Sequence, residues 1–192
     1  MRLSTLGAWG VAVLLAWCAG GLRPVGAAEK DEYAKLLPTL SKSKHTLAAG
    51  IRQAAAKGSE VAISAKSELE EGKLSLSVYT AEKGLGTDAE HNVLKELAGS
   101  PEADQWKPGV EVFKDVPHVS RASQQVTLMS LSKFSLLDIL KKVKKDQAGT
   151  VFSITPVLRD RKAQFVVLVA AKGKVVKLTY DVMTGERVGS TR

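Results

Sequence analysis

The residues with reactive chemistry within reach are three histidines, His45, His91 and His118, and two Ser-x-x-Lys tetrads. Asp88 and Asp115 each precede a histidine by three positions, the spacing that puts two side chains on one helix face. A zinc ion or a general base needs three or four convergent groups, and sequence alone does not bring the two pairs together. Helix-surface ion pairing or N-terminal capping explains the same spacing and is the expected reading. Ser41-Lys42-Ser43-Lys44 and Ser130-Leu131-Ser132-Lys133 carry the nucleophile spacing of penicillin-recognising enzymes, but the companion Ser-Asp-Asn and Lys-Thr-Gly elements occur nowhere in the chain. There is no Gly-rich phosphate loop, no Gly-x-Ser-x-Gly and no His-Glu-x-x-His. The expectation is a non-enzyme with no metal and no cofactor.

Charge is the more informative signal. Residues 132–192 hold 13 basic and 5 acidic residues, whereas residues 28–131 hold 13 basic and 15 acidic. Positive charge is thus concentrated in the last third. Lys141, Lys142 and Lys145 fall opposite an apolar helical stripe, and Arg159, Arg161 and Lys162 cluster at a turn between two strand-like runs. These six are the candidate ligand-binding residues, suited to an envelope polyanion, an anionic lipid surface or an acidic protein face. The bland alternative is a solvated face that keeps the protein soluble. Aromatics are only 5% of the chain and no recognition motif is present, so nucleic acid is not an expected partner.

The elements that must position these residues begin after an export signal. Arg2 is followed by an uncharged run over residues 6–22, then Arg23-Pro24 and the small residues Val25-Gly26-Ala27. Cleavage is expected after Ala27 or one residue later, giving a periplasmic or extracellular chain. Retention of the run as a membrane anchor is the rival reading. Cys18, the single cysteine, is preceded by the large Trp17, which disfavours lipid attachment. Without it the mature chain has no disulfide and no thiol nucleophile.

Sliding the chain against itself gives one informative register, an offset of 89, which lays 46–84 on 135–173 with eight identities, among them Ser64/Ser153, Val78/Val167 and Gly84/Gly173. In the second copy Ser135 precedes Leu136, Ile139, Leu140 and Val143, with Asp138 at capping-box distance, so a helix is expected there. Strands are expected at Val151–Leu158, Ala163–Ala170 and Val175–Tyr180, closed by a turn over Asp181–Glu186 with Gly185 at positive φ. In the first copy Thr46–Ala56 reads as a helix, and Glu60–Leu69 and Leu74–Ala81 as strands. Its third strand is placed at Val110–Val116, after a 23-residue insertion over about 85–107 that holds a helix at Asp88–Leu97. Segment 28–43 reads as a short helix or arm ended by Pro38, and Val116–Leu131 as a linking helix.

The helix, the three antiparallel strands and the closing Asp181, Thr184, Gly185 and Glu186 resemble the PepSY domain, over 134–188 and more loosely over 45–116. The fold expected is α+β, two tandem modules (44–131 and 132–192), each a helix packed on a three-stranded antiparallel sheet, with a helical insertion in the first. The resemblance implies an exported, non-catalytic binding module of the envelope or extracellular space. Its partner would be a protein there, with restraint of a secreted peptidase as one role acting in trans. The alternative is binding to an anionic polymer or membrane surface through the basic second module.

Overall fold

The computed structural model describes residues 27–56 and 58–191; the expected export segment lies outside them apart from Ala27. Among the described residues the fold is α+β, with four α-helices and one eight-stranded antiparallel sheet. Helix α1 (Ala27–Thr39) tightens into a 3₁₀ turn, Leu40–Lys42, before α2 (Leu47–Ala54). Four strands follow: β1 (Val61–Glu70), β2 (Lys73–Ala81), β3 (Leu94–Gly99) and β4 (Gly109–Val112). Then come α3 (Val116–Ser130) and α4 (Leu136–Asp146). The chain ends in β5 (Thr150–Arg159), β6 (Lys162–Ala171), β7 (Lys174–Asp181) and β8 (Arg187–Thr191).

Local chemistry explains the helices. Thr46 caps α2 by accepting from the Ala49 N–H, and Leu47, Gly50, Ile51 and Ala54 form its buried face. Ser135 and Asp138 make a reciprocal capping box on α4, whose Leu136, Ile139, Leu140 and Val143 are buried. Asp115 caps α3 and Pro117 lies in its first turn, where a missing N–H costs nothing. Helix α1 runs one residue past Pro38 instead of stopping there. A proline in a helix interior removes one hydrogen bond, and here the chain passes into the tighter turn two residues later.

Strand order is β4-β3-β2-β1-β5-β6-β7-β8. The halves of the chain meet where β1 pairs β5 through Ala65↔Ile154 and Lys66↔Ser153. On either side of this seam the registers coincide at a spacing of 89 residues: Ala65↔Val78 beside Ile154↔Val167, with a β-bulge at Ala62/Ser64 and another at Val151/Ser153. Gly50 of α2 lies so close to Leu76 and Val78 that a Cβ would meet the Leu76 side chain at 2.8 Å. His118 of α3 stacks on Phe113, which in turn packs on Tyr79. Neighbouring residues of a strand point to opposite faces, so α2 and α3 cover opposite sides of the sheet. One main core takes in Ile51, Leu76 and Val78 with Ile139, Val143, Ile154 and Phe165. It crosses the expected 131/132 boundary, so the halves share one hydrophobic interior. A second, smaller cluster seats Leu36 and Leu40 against Leu74 and Phe152.

Three expectations are corrected. Four strands, not three, stand on each side of the seam, all in one sheet. No helix forms over Asp88–Leu97. Residues 88–92 form a turn clasped by Asn92, whose Oδ1 accepts from the Lys83 N–H and whose Nδ2 donates to the Gly84 carbonyl. Leu94 and Leu97, spaced like one helical face, lie on opposite faces of β3. The third strand of the first half is therefore β3, since Leu97 pairs Val78 as Leu178 pairs Val167. Segment 109–112 is a fourth, outer strand.

Candidate functional site

The six basic candidates divide into two groups with different roles. On α4, the Lys141 Nζ donates to Asp138 Oδ1 at 2.9 Å, and Lys145 is exposed without an ion-pair partner among the described residues. The bonds from Ser135, and then that from Lys141, pull the Asp138 carboxyl down to about 2. Lys142 is committed to the fold. Its Nζ donates to the Gly185 carbonyl at 2.9 Å and lies 4.5 Å from the centre of the Phe134 ring.

That contact gives the Asp181–Glu186 motif a physical role. Asp181 Oδ1 accepts from the N–H groups of Met183 and Thr184 at 2.9 and 2.8 Å, and the Gly185 N–H donates to the Asp181 carbonyl. Gly185 has φ +64, and a Cβ there would stand 2.7 Å from the Phe134 ring and 2.9 Å from Lys142 Nζ. The motif folds the chain back into β8 while seating the start of α4. It is structural chemistry.

The other three cations are brought together. Arg159 and Lys162 pair across the β5–β6 hairpin, whose two-residue tip, Asp160-Arg161, has φ of +50 and +61. All four residues are exposed, and Arg159, Arg161 and Lys162 have no ion-pair partner among the described residues. Among the described residues Lys141 and Lys142 of α4 bond Asp138 and Gly185, and no hydrogen bond or ion pair joins the α4 lysines to this tip.

The first half carries a polar constellation that sequence reasoning missed. On the Tyr79 face, Lys66 pairs with Glu68 and lies 5.8 Å from the Tyr79 ring centre. Burial pushes the Glu68 carboxyl up, and the Lys66 charge opposes that only in part. Burial also raises the Tyr79 hydroxyl, and so does Glu96, with which it shares a hydrogen bond. Ser64 donates to Gln125 of α3 at 2.8 Å, while the Ser77 hydroxyl is buried with no partner among the described residues. Alternation of Ser, Lys and Glu along 64–68 signalled a polar strand face, but nothing local marked it as half-buried.

Each histidine engages a different partner. His91 Nδ1 approaches Asp88 at 2.8 Å within the 88–92 turn, and His118 Nδ1 lies 2.7 Å from Asp115 at the α3 cap. His45 Nε2 lies 2.9 Å from the Ala103 carbonyl. Among the described residues no three His, Cys, Asp or Glu side chains form a metal-holding group. Neither Ser-x-x-Lys tetrad forms a catalytic pair: Ser41 and Ser130 donate to the carbonyls of Pro38 and Thr127, and Lys44 pairs with Asp104.

Among the described residues no helix is long and apolar enough to cross a membrane. No family model matches the chain, and no curated protein matches it. A crystal structure of a candidate lipoprotein from Clostridium difficile 630 is similar at 8% identity and a TM-score of 0.37, covering 69% of this chain and 82% of that one.

Proposed function

We propose that this chain is an exported, non-catalytic binding protein built from two fused PepSY-like copies, whose partner is a protein of the envelope or the secreted fraction, a peptidase being the leading kind. The observation that carries the reading is the equal register and equal bulge placement 89 residues apart on either side of the β1–β5 seam. A duplicated non-catalytic module fused edge to edge would produce that correspondence. The fusion leaves two open strands, β4 and β8, at the ends of a long sheet, and open edges are sites where another chain can add.

The second reading, an anionic polymer or lipid surface, is favoured by the β5–β6 tip. Arg161 holds a left-handed φ of +61 where the matching β1–β2 tip has Gly72 at +77. A side chain in that conformation costs about 1–2 kcal/mol, and three exposed cations stand together there.

Affinity capture separates the two. The chain is immobilised against envelope and secreted fractions of the producing cell and washed in low and then high salt. The first reading requires a discrete protein retained through high salt, with any peptidase activity in that band inhibited by free chain. The second requires polyanion or lipid that salt releases and that Arg161→Glu no longer retains.

A further inference from the structure

The two outer strands differ in their chemistry: β4 (Gly109–Val112) carries an acidic residue and two valines, whereas β8 (Arg187–Thr191) carries a basic one. It pairs β3 on one side only, all four of its residues are exposed, and its register sets Glu111 directly opposite Glu96. Glu96 in turn lies opposite Tyr79, so Glu111 and Glu96 extend the Tyr79 row to the sheet edge. Directly paired like charges in a sheet are destabilising. Glu111 has no cationic partner among the described residues. A cleft lined by Glu96, Ala98, Gly109, Val110 and Glu111 opens at this point, and Ala98 and Gly109 leave room on its floor. On the other face, Val110 and Val112 are 61% and 45% exposed.

We infer that β4 receives an extended peptide segment in which Lys or Arg alternates with apolar residues, added as a ninth strand. Its backbone would pair with the free groups of β4, its cations would face Glu111 and Glu96, and its apolar residues would cover Val110 and Val112. Lys107 and Lys114 bracket the strand, so the cations of the segment belong at its centre and not its ends. A second copy adding through its own β4 would bring two Glu111 side chains to one edge, which disfavours self-pairing there. The inference rests on the binding-protein reading above and names its partner's chemistry.

The test uses the full chain and the peptide acetyl-Val-Lys-Val-Lys-Val-amide, with binding followed by backbone amide shifts. Saturable shifts confined to β4 and β3 are expected, with affinity lowered about tenfold by Glu111→Lys, the change equivalent to 1.4 kcal/mol. Arg161→Glu, remote from this edge, should leave affinity unchanged, and the melting temperature of Glu111→Lys should not fall, because the change replaces a directly paired like charge by an opposite one. Shifts centred elsewhere, equal affinity for Glu111→Lys, or equal binding of the peptide with Glu in place of Lys would overturn the assignment. So would concentration-dependent self-association abolished by Glu111→Lys, which would give the edge to a second copy. A protein captured in high salt and held equally well by Glu111→Lys would remove the β4 assignment while leaving the wider reading intact. Peptide bound at β4 with no partner captured would do the reverse.

Discussion

The β1–β2 and β5–β6 hairpins are the same turn with opposite charge. Glu70 pairs Lys73 around Glu71-Gly72, and Arg159 pairs Lys162 around Asp160-Arg161, with left-handed φ at both tip positions in each. The first tip uses a glycine where the backbone asks for one; the second holds an arginine there. The contrast extends inward. On β1, Lys66 and Glu68 form a half-buried pair, whereas the residues 89 further on are Thr155 and Val157. One backbone plan has thus been filled in two ways. Geometry in this fold is set by turns and bulges, and the surface chemistry varies on top of it.

The largest effect that would break the comparison comes from the seam. Ile154 is fully buried beside Ala65, and Ile154→Ala should cost about 2–5 kcal/mol in denaturant unfolding. A single transition is expected, because the main core spans both halves.

The closing turn comes next. Gly185→Ala adds a Cβ against the Phe134 ring at an already left-handed φ and should destabilise by about 1–3 kcal/mol. Gly72→Ala, with open space around it, should show only the backbone cost of about 1–2 kcal/mol, less than at Gly185. Equal losses at the two sites would mean that Phe134 and Lys142 do not hold the turn.

The helix caps offer a smaller, pH-dependent contrast. Ser135→Ala should cost about 1 kcal/mol at neutral pH. The Asp138 carboxyl is lowered by Ser135 and Lys141, so its stabilising contribution is present above its ordinary value near 3.8 and fades as pH falls towards 2. Thermal melts between pH 5 and 2 should therefore be flatter for Ser135→Ala than for the parent.

Glu68 carries the opposite sign. Its folded-state value is raised, chiefly by burial, so it favours the folded state below about 4.5 and that advantage is lost as pH rises through the folded value. Replacing the pair by the second-half residues, Lys66→Thr with Glu68→Val, should be neutral or stabilising by about 1 kcal/mol at pH 7. A loss above that in urea unfolding would mean that the pair contributes more than its burial costs.

The second half was the more legible in sequence because its signals are local and consistent. The Ser135/Asp138 box, the stripe of Leu136, Ile139, Leu140 and Val143, and three apolar runs all point to the elements observed. Strand β3 was hidden because its charges are satisfied in the tertiary structure: Lys95 bonds Glu82 at 2.8 Å and Glu60 at 3.3 Å, leaving no apolar alternation to read. Strand β8 is short and polar, as an outer strand with one neighbour can be. The basic hairpin was visible as a charge cluster, but the engagement of Lys142 with Gly185 depends on residues 43 positions apart. The Glu96/Glu111 pairing was equally beyond local reading, since it follows from a strand that the sequence disguised.

The central claim is that the two halves form one sheet and unfold as one unit. Native-state amide hydrogen exchange on the parent and on Ile154→Ala tests it most directly, comparing β2 with β6. Equal loss of protection in both strands is the predicted result. Loss confined to β5, β6 and β7, with β2 unchanged, would show two independent modules and contradict the account.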